Sequence, residues 1–78
     1  MEAKLYVGNL PYTTTDADLQ SLFAQAGTVV SAAVVKDRDS GRSKGFGFVE
    51  MSSDGEAQQA ISLLDGKDFQ GRTLKVNV

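Results

Sequence analysis

Two stretches of this chain repeat one apolar spacing. Leu19, Leu22, Phe23 and Ala26 fall at i, i+3, i+4 and i+7, and Ala57, Ala60, Ile61 and Leu64 do the same. That period lays four side chains along one face of an α-helix. Each stripe follows a hydroxyl residue with an acid three places on, Thr15 with Asp18 and Ser53 with Glu56. Ser53–Glu56 is a complete capping-box pattern and Thr15–Asp18 comes close to one; such a box satisfies the first free N–H groups of a helix. Each stripe is also followed by a glycine, Gly27 or Gly66, read here as the left-handed residue that stops the helix. The first helix is expected over Asp16 to Ala26.

The segments around the stripes have strand character. Lys4 to Asn9 alternates and is stopped by Pro11; Val29 to Asp37 is β-branched without helical period; Lys44 to Met51 and Arg72 to Val78 alternate again. Asp39-Ser40-Gly41 is turn chemistry between the second and third of these. The order is strand, helix, strand, strand, helix, strand. Crossovers are right-handed, and both helices must lie on one side to share a core. The expected fold class is therefore α+β, a ferredoxin-like split βαβ sandwich (βαββαβ) with a four-stranded antiparallel sheet and two helices on one face. The other sheet face is left to water. No linker or low-complexity tract interrupts the 78 residues, so residues 1–78 are expected to form a single domain, and the sequence stops within its last strand as if a longer chain continued.

Composition narrows the chemistry. With no cysteine and no histidine, disulfides, thiol chemistry and the usual zinc sites are excluded, and no cofactor is expected. No apolar run approaches the ~18 residues of a membrane span, and the start, Met1 to Leu5, lacks the basic-then-apolar pattern of a secretory signal. A soluble, intracellular monomer is expected, cytoplasmic in a bacterium and otherwise in nucleus, cytoplasm or plastid. Ten acids against eight bases give a net charge of -2, which argues weakly against a nucleic-acid partner. The charges are unevenly placed, however. Lys36, Arg38, Arg42 and Lys44 crowd into nine residues, while Asp16, Asp18, Asp54, Glu56 and Asp65 lie in or beside the helices.

Strand side chains alternate between two faces, and the face under the helices must be apolar. In the first strand, Leu5, Val7 and Asn9 oppose Lys4, Tyr6 and Gly8; in the last, Leu74, Val76 and Val78 oppose Thr73, Lys75 and Asn77. Lysine belongs in water, so Tyr6 and Asn77 go with it. By the same rule Lys44, Phe46, Phe48 and Glu50 face out in the third strand, and Gly45, Gly47, Val49 and Met51 face in, the two glycines letting a helix lie close. Three of the six aromatic residues then share one open face, edged by Lys4, Lys44 and Lys75. Aromatic pairs across strands can serve only the sheet, at ~0.2 to 1 kcal/mol each. Three rings converging beside three cations suit a ligand that is flat and anionic: unstacked bases on the rings at ~1 to 3 kcal/mol each, phosphates on the cations.

Leu5-Tyr6-Val7-Gly8-Asn9-Leu10 and Lys44-Gly45-Phe46-Gly47-Phe48-Val49-Glu50-Met51 resemble the two ribonucleoprotein motifs of the RNA-recognition motif family. The second fits seven of eight positions, with Met51 replacing an aromatic; Met51 faces the core, where its flexible side chain fills the gap. Within the family the chain is similar to small glycine-rich-type, chloroplast-type or bacterial single-domain RNA binders. The resemblance implies that Tyr6 and Phe48 stack consecutive bases, Phe46 packs on a sugar or a further base, Lys44 pairs with a phosphate, and Lys75 and Asn77 meet base edges. It also implies a partner, single-stranded RNA, with single-stranded DNA as an alternative, and no catalysis.

The loop Arg38-Asp39-Ser40-Gly41-Arg42-Ser43 is either a plain solvated hairpin or, through Arg38 and Arg42, a flap over the bound strand. Asn9 is inward by alternation, but near the strand end it is expected to order the Pro11 loop. Tyr12 and Phe69, beside turns, are read as lids on the core. Gly45-x-Gly47 is no dinucleotide fingerprint, since it lies within a strand and lacks the third glycine and the following helix. Two rivals remain. One is a protein-binding module of the same fold, disfavoured by the full set of platform aromatics. The other is an acylphosphatase-like enzyme, disfavoured because no residue from Leu5 to Tyr12 is basic.

Overall fold

The computed structural model describes residues 3–78; Met1 and Glu2, part of the start read above for a secretory pattern, lie outside the described residues. The elements are β1 (Lys4–Gly8), α1 (Asp16–Ala24), β2 (Val29–Lys36), β3 (Ser43–Met51), α2 (Asp54–Leu64), β4 (Asp68–Phe69), β5 (Arg72–Thr73) and β6 (Lys75–Asn77). Strands β2, β3, β1 and β6 form, in that order, one antiparallel sheet. Leu5, Val7, Val49, Met51, Leu74 and Val76 are buried against Leu19, Leu22, Phe23, Ala57, Ala60 and Leu64 of the helices, with Ile61 half-buried at the margin. Apart from Asn9 and Val78 at the strand ends, the inward and outward sets on the strands are thus as the charges dictate. No helix among the described residues is long and apolar enough to cross a membrane.

The two capping motifs diverge. At α1 the box is complete: the Thr15 hydroxyl accepts from the Asp18 N–H at 3.1 Å, and the Asp18 carboxylate accepts from the Thr15 N–H at 3.0 Å. At α2 only half forms, with Ser53 Oγ accepting from the Glu56 N–H at 3.2 Å. The Glu56 carboxylate turns away instead and accepts from the Thr28 N–H at 2.8 Å and from the Ser52 and Ser53 hydroxyls. These donors, the Ser52 hydroxyl first and the Thr28 amide next, hold its carboxyl below the ordinary glutamate range.

That reach explains a second departure. α1 ends at Ala24, and Gly27 is not in the left-handed conformation expected of a helix stop. Its bare Cα makes room for Glu56, whose side-chain atoms lie 2.7 to 2.9 Å from where a Cβ would stand. Gly66, at φ 80°, does end α2 as expected. Two other helix-flanking acids dock the helices onto the sheet: Asp16 Oδ1 accepts from the Val34 N–H, and Asp65 Oδ1 from the Val76 N–H, each at 2.8 Å.

The glycines of β3 also part company. At Gly47 a Cβ would stand 2.5 Å from the Ala33 carbonyl oxygen and 3.1 Å from Leu19 Cδ2, so α1 and β2 do press on it. Gly45 instead takes φ 82° and lies beneath Leu10 and Tyr12, so a loop and not a helix uses the space. The last strand, expected to run unbroken from Arg72 to Val78, is divided. Arg72–Thr73 pairs with Asp68–Phe69 in a hairpin whose turn residues, Gln70 and Gly71, both have positive φ. Leu74 then binds Lys67 and Gly66 through backbone hydrogen bonds before β6 begins. Pairing ends at Asn77, so Val78, placed inward by alternation, is 63% exposed.

Candidate nucleic-acid interface

Tyr6 on β1 stands directly opposite Phe48 on β3 and Asn77 on β6. Centroids of Tyr6 and Phe48 are 6.0 Å apart at 67°, those of Tyr6 and Phe46 5.7 Å at 35°, and those of Phe46 and Phe48 6.2 Å at 86°. All three spacings are those of interacting rings. The trio forms one continuous aromatic surface on the side away from the helices, with Phe48 41% exposed and Tyr6 and Phe46 half-buried. Gly8 belongs to this arrangement although its residue type gave no sign of it. A Cβ there would meet the Tyr6 ring at 2.7 to 3.0 Å, so glycine is what lets the ring lie down along its own strand.

Polar residues frame the rings. Lys4 is exposed at one end of β1, opposite Glu50; Lys75 is exposed opposite Gly8; Asn77 is exposed beside Tyr6. Lys44, also exposed, precedes Phe46 across the bend at Gly45. Val78 joins Lys4, Leu5, Tyr6 and Phe48 around a shallow hollow on this face, a role alternation could not assign to a residue past the last pair. Arg38 and Arg42 stand apart, exposed on the loop between β2 and β3. That loop is organised by Asp37, whose carboxylate accepts from the Ser40 N–H at 3.0 Å and the Asp39 N–H at 2.8 Å. Those two amides, Ser40 first, keep the Asp37 carboxyl below its ordinary range. No group of three or more acidic residues among those described is arranged to hold a metal ion.

The end of β1 differs from its sequence reading. Asn9 does not point inward and does not brace the Pro11 loop. Exposed and at φ 61°, it donates from Nδ2 to the Thr73 carbonyl at 2.7 Å, while its Oδ1 and backbone carbonyl accept from Arg72 at 2.8 and 3.2 Å. A short polar side chain tolerates that left-handed conformation. Phe69 packs on the margin of the core as a lid, but Tyr12 does not: it is 67% exposed, with the Arg72 guanidinium 5.9 Å from its ring centroid.

Comparison with known proteins agrees with this architecture. The pattern described as RNA recognition motif matches residues 5–75. The 28 kDa chloroplastic ribonucleoprotein of Nicotiana sylvestris is 55% identical over 74 residues, which cover 95% of this chain and 27% of that protein, so the chain spans about a quarter of the curated relative's length. Among solved structures, that of RNA Binding Protein PG1 superposes with a TM-score of 0.93 at 49% identity, covering 96% of this chain and 90% of that one. The Rna15 RRM with bound RNA (GU) superposes at 0.88 with 28% identity, covering 99% of this chain and 82% of that one. Motif match, identity and superposition coincide over nearly the full length, and the chain belongs to the RNA recognition motif family.

Proposed function

We propose that this chain is a single-domain module that binds single-stranded RNA by stacking bases on Tyr6, Phe46 and Phe48, and that it acts by binding and not by catalysis. The observation that carries this reading is the contiguous trio of rings on a sheet face that neither helix covers. A patch of this kind on a small domain needs a partner, and a planar base fits the rings while a sugar–phosphate backbone fits the lysines at their margin. Lys4, Lys44 and Lys75 take phosphates, Asn77 reads a base edge, and Arg38 and Arg42 reach the strand from the loop. The module works as a monomer, and single-stranded DNA, whose bases offer the same faces to the rings, is the alternative ligand. Among the compartments left open by the sequence, the chloroplastic names of its relatives support a plastid.

Replacing the most exposed ring of the trio tests this. Phe48→Ala is expected to weaken binding of a short single-stranded RNA by ~1 to 3 kcal/mol while leaving the melting temperature within a few degrees of wild type. Unchanged affinity in a fluorescence-anisotropy titration, with the fold intact, would overturn it.

A further inference from the structure

Tyr6 does not stand where its register alone would put it. Its cross-strand partner is Phe48, yet its ring lies nearer to Phe46, at 5.7 Å against 6.0 Å, and closer to parallel with it, at 35° against 67°. β1 and β3 are antiparallel, so a ring that leans from Tyr6 toward Gly8 on one strand moves from Phe48 toward Phe46 on the other. Gly8 permits that lean. It shares the outward parity of Tyr6 and is buried although it faces away from the helices, with the far end of the ring over it.

Nothing in the backbone asks for glycine there. Gly8 lacks the left-handed φ of Gly45, so any L-residue could follow the same chain path. Nor does a neighbouring element press on it, as Ala33 and Leu19 press on Gly47: the three atoms nearest the missing Cβ are Oη, Cε2 and Cζ of Tyr6, at 2.7, 2.9 and 3.0 Å. The gap therefore serves one side chain. It does so against the interest of the strand, since glycine within a strand weakens it relative to a residue with a side chain. A ring lying along the sheet presents its face to a ligand, whereas one standing up from the strand presents its edge, and a base stacks on the face.

We propose that Gly8 is a positioning residue for RNA, which by leaving its outward side bare lays the Tyr6 ring beside Phe46 so that the two form one stacking surface. The inference rests on the RNA-binding reading above and adds a residue that acts only through Tyr6.

Two measurements test it, the first without RNA. The ring current of Tyr6 should move the Gly8 Hα resonances upfield, and Tyr6→Ala should return them to ordinary strand values; resonances that do not respond to Tyr6→Ala would overturn the proposal. The second is a double-mutant cycle. A short single-stranded RNA, selected from a random pool by the wild-type protein, is titrated against wild type, Gly8→Ala, Tyr6→Ala, the double variant and Phe48→Ala. Gly8→Ala is expected to weaken binding by about 5- to 150-fold, to melt no lower than wild type, and to have no further effect once Tyr6 is alanine. Wild-type affinity in Gly8→Ala, an equal loss in both backgrounds, or a domain unfolded by Gly8→Ala would each show that the glycine does not act through the ring, while Phe48→Ala still reports on the platform. If neither Tyr6→Ala nor Phe48→Ala lowers affinity, it is the platform reading that fails, and the proposal with it.

Discussion

One strand, β3, shows two environments a residue apart. Val49 and Met51 are fully buried under the helices, while Phe48 just before them is 41% exposed and Glu50 between them is in water. Both sets are rich in large apolar side chains, so hydrophobicity alone does not sort them. What sorts them is the company each keeps: the outward parity carries lysine, glutamate and asparagine, which lose hydration on burial, and the aromatics accompany them out. The covered face therefore holds the fold together, and the open face is free to be wet in one state and stacked in another. The difference is functional, since a side chain committed to the core cannot be offered to a ligand.

The sharpest way to break this comparison is to exchange the readouts. Phe23→Ala, in the covered layer, is expected to lower stability by ~3 to 5 kcal/mol, enough to unfold much of a domain this small, as measured by urea denaturation. A Phe23→Ala protein that stayed folded and lost only RNA affinity would mean that the two faces do not divide the work. Next in size is the response of RNA affinity to salt. If Lys4, Lys44 and Lys75 each neutralise one phosphate, log K against log salt should fall with a slope of about -2, steepening to about -3.5 if Arg38 and Arg42 join them. A slope near zero would take the cations out of the site, and one characteristic of six or more contacts would demand cations beyond the five assigned to it.

The smallest effect concerns how the covering layer is attached. The Glu56 carboxyl is held below its ordinary range by Ser52 and by the Thr28 amide. Its contribution is therefore present at neutral pH and lost as pH falls through the depressed value, because protonation removes the charge those donors stabilise. Glu56→Gln should melt below wild type at pH 7, and the gap should close as the solution is acidified into the carboxylate range. A gap that stayed constant with pH would show that the side chain matters for its shape and not its charge.

Most of this organisation was legible in the sequence because it depends on short-range periods. Stripes of i, i+3, i+4, i+7 placed both helices, alternation placed the inward and outward residues of the strands, and the charges chose the face. Most of the failures have one physical origin, contacts between residues far apart in the chain. Glu56 satisfies half of a capping box by its spacing, but Thr28, twenty-eight residues away, claims its carboxylate and changes the role of Gly27. Gly45 and Gly47 look equivalent in the strand, and only the arrival of Tyr12 over one and Ala33 against the other tells them apart. The β4–β5 hairpin was missed because two-residue strands are too short to show a period, although Gln70-Gly71 is a turn pair whose positive φ values glycine favours. Tyr12 beside Pro11 looked like a lid, and only Arg72, sixty residues on, reveals that it stands clear of the core.

The rim of the sheet carries a last consequence. β2 is an outermost strand, eight residues long and valine-rich, with Val30 59% exposed, which is the profile of a segment that recruits other chains into intermolecular sheets. Its register with β3 shifts between Val29 and Ser31 and again between Val34 and Lys36, leaving only Ser31 to Val34 in regular pairing. Irregularities of that kind twist the free border away from a straight template. Regular pairing is thereby limited to four residues, and the border of the sheet offers a second copy of the chain a poorer template than eight straight residues would.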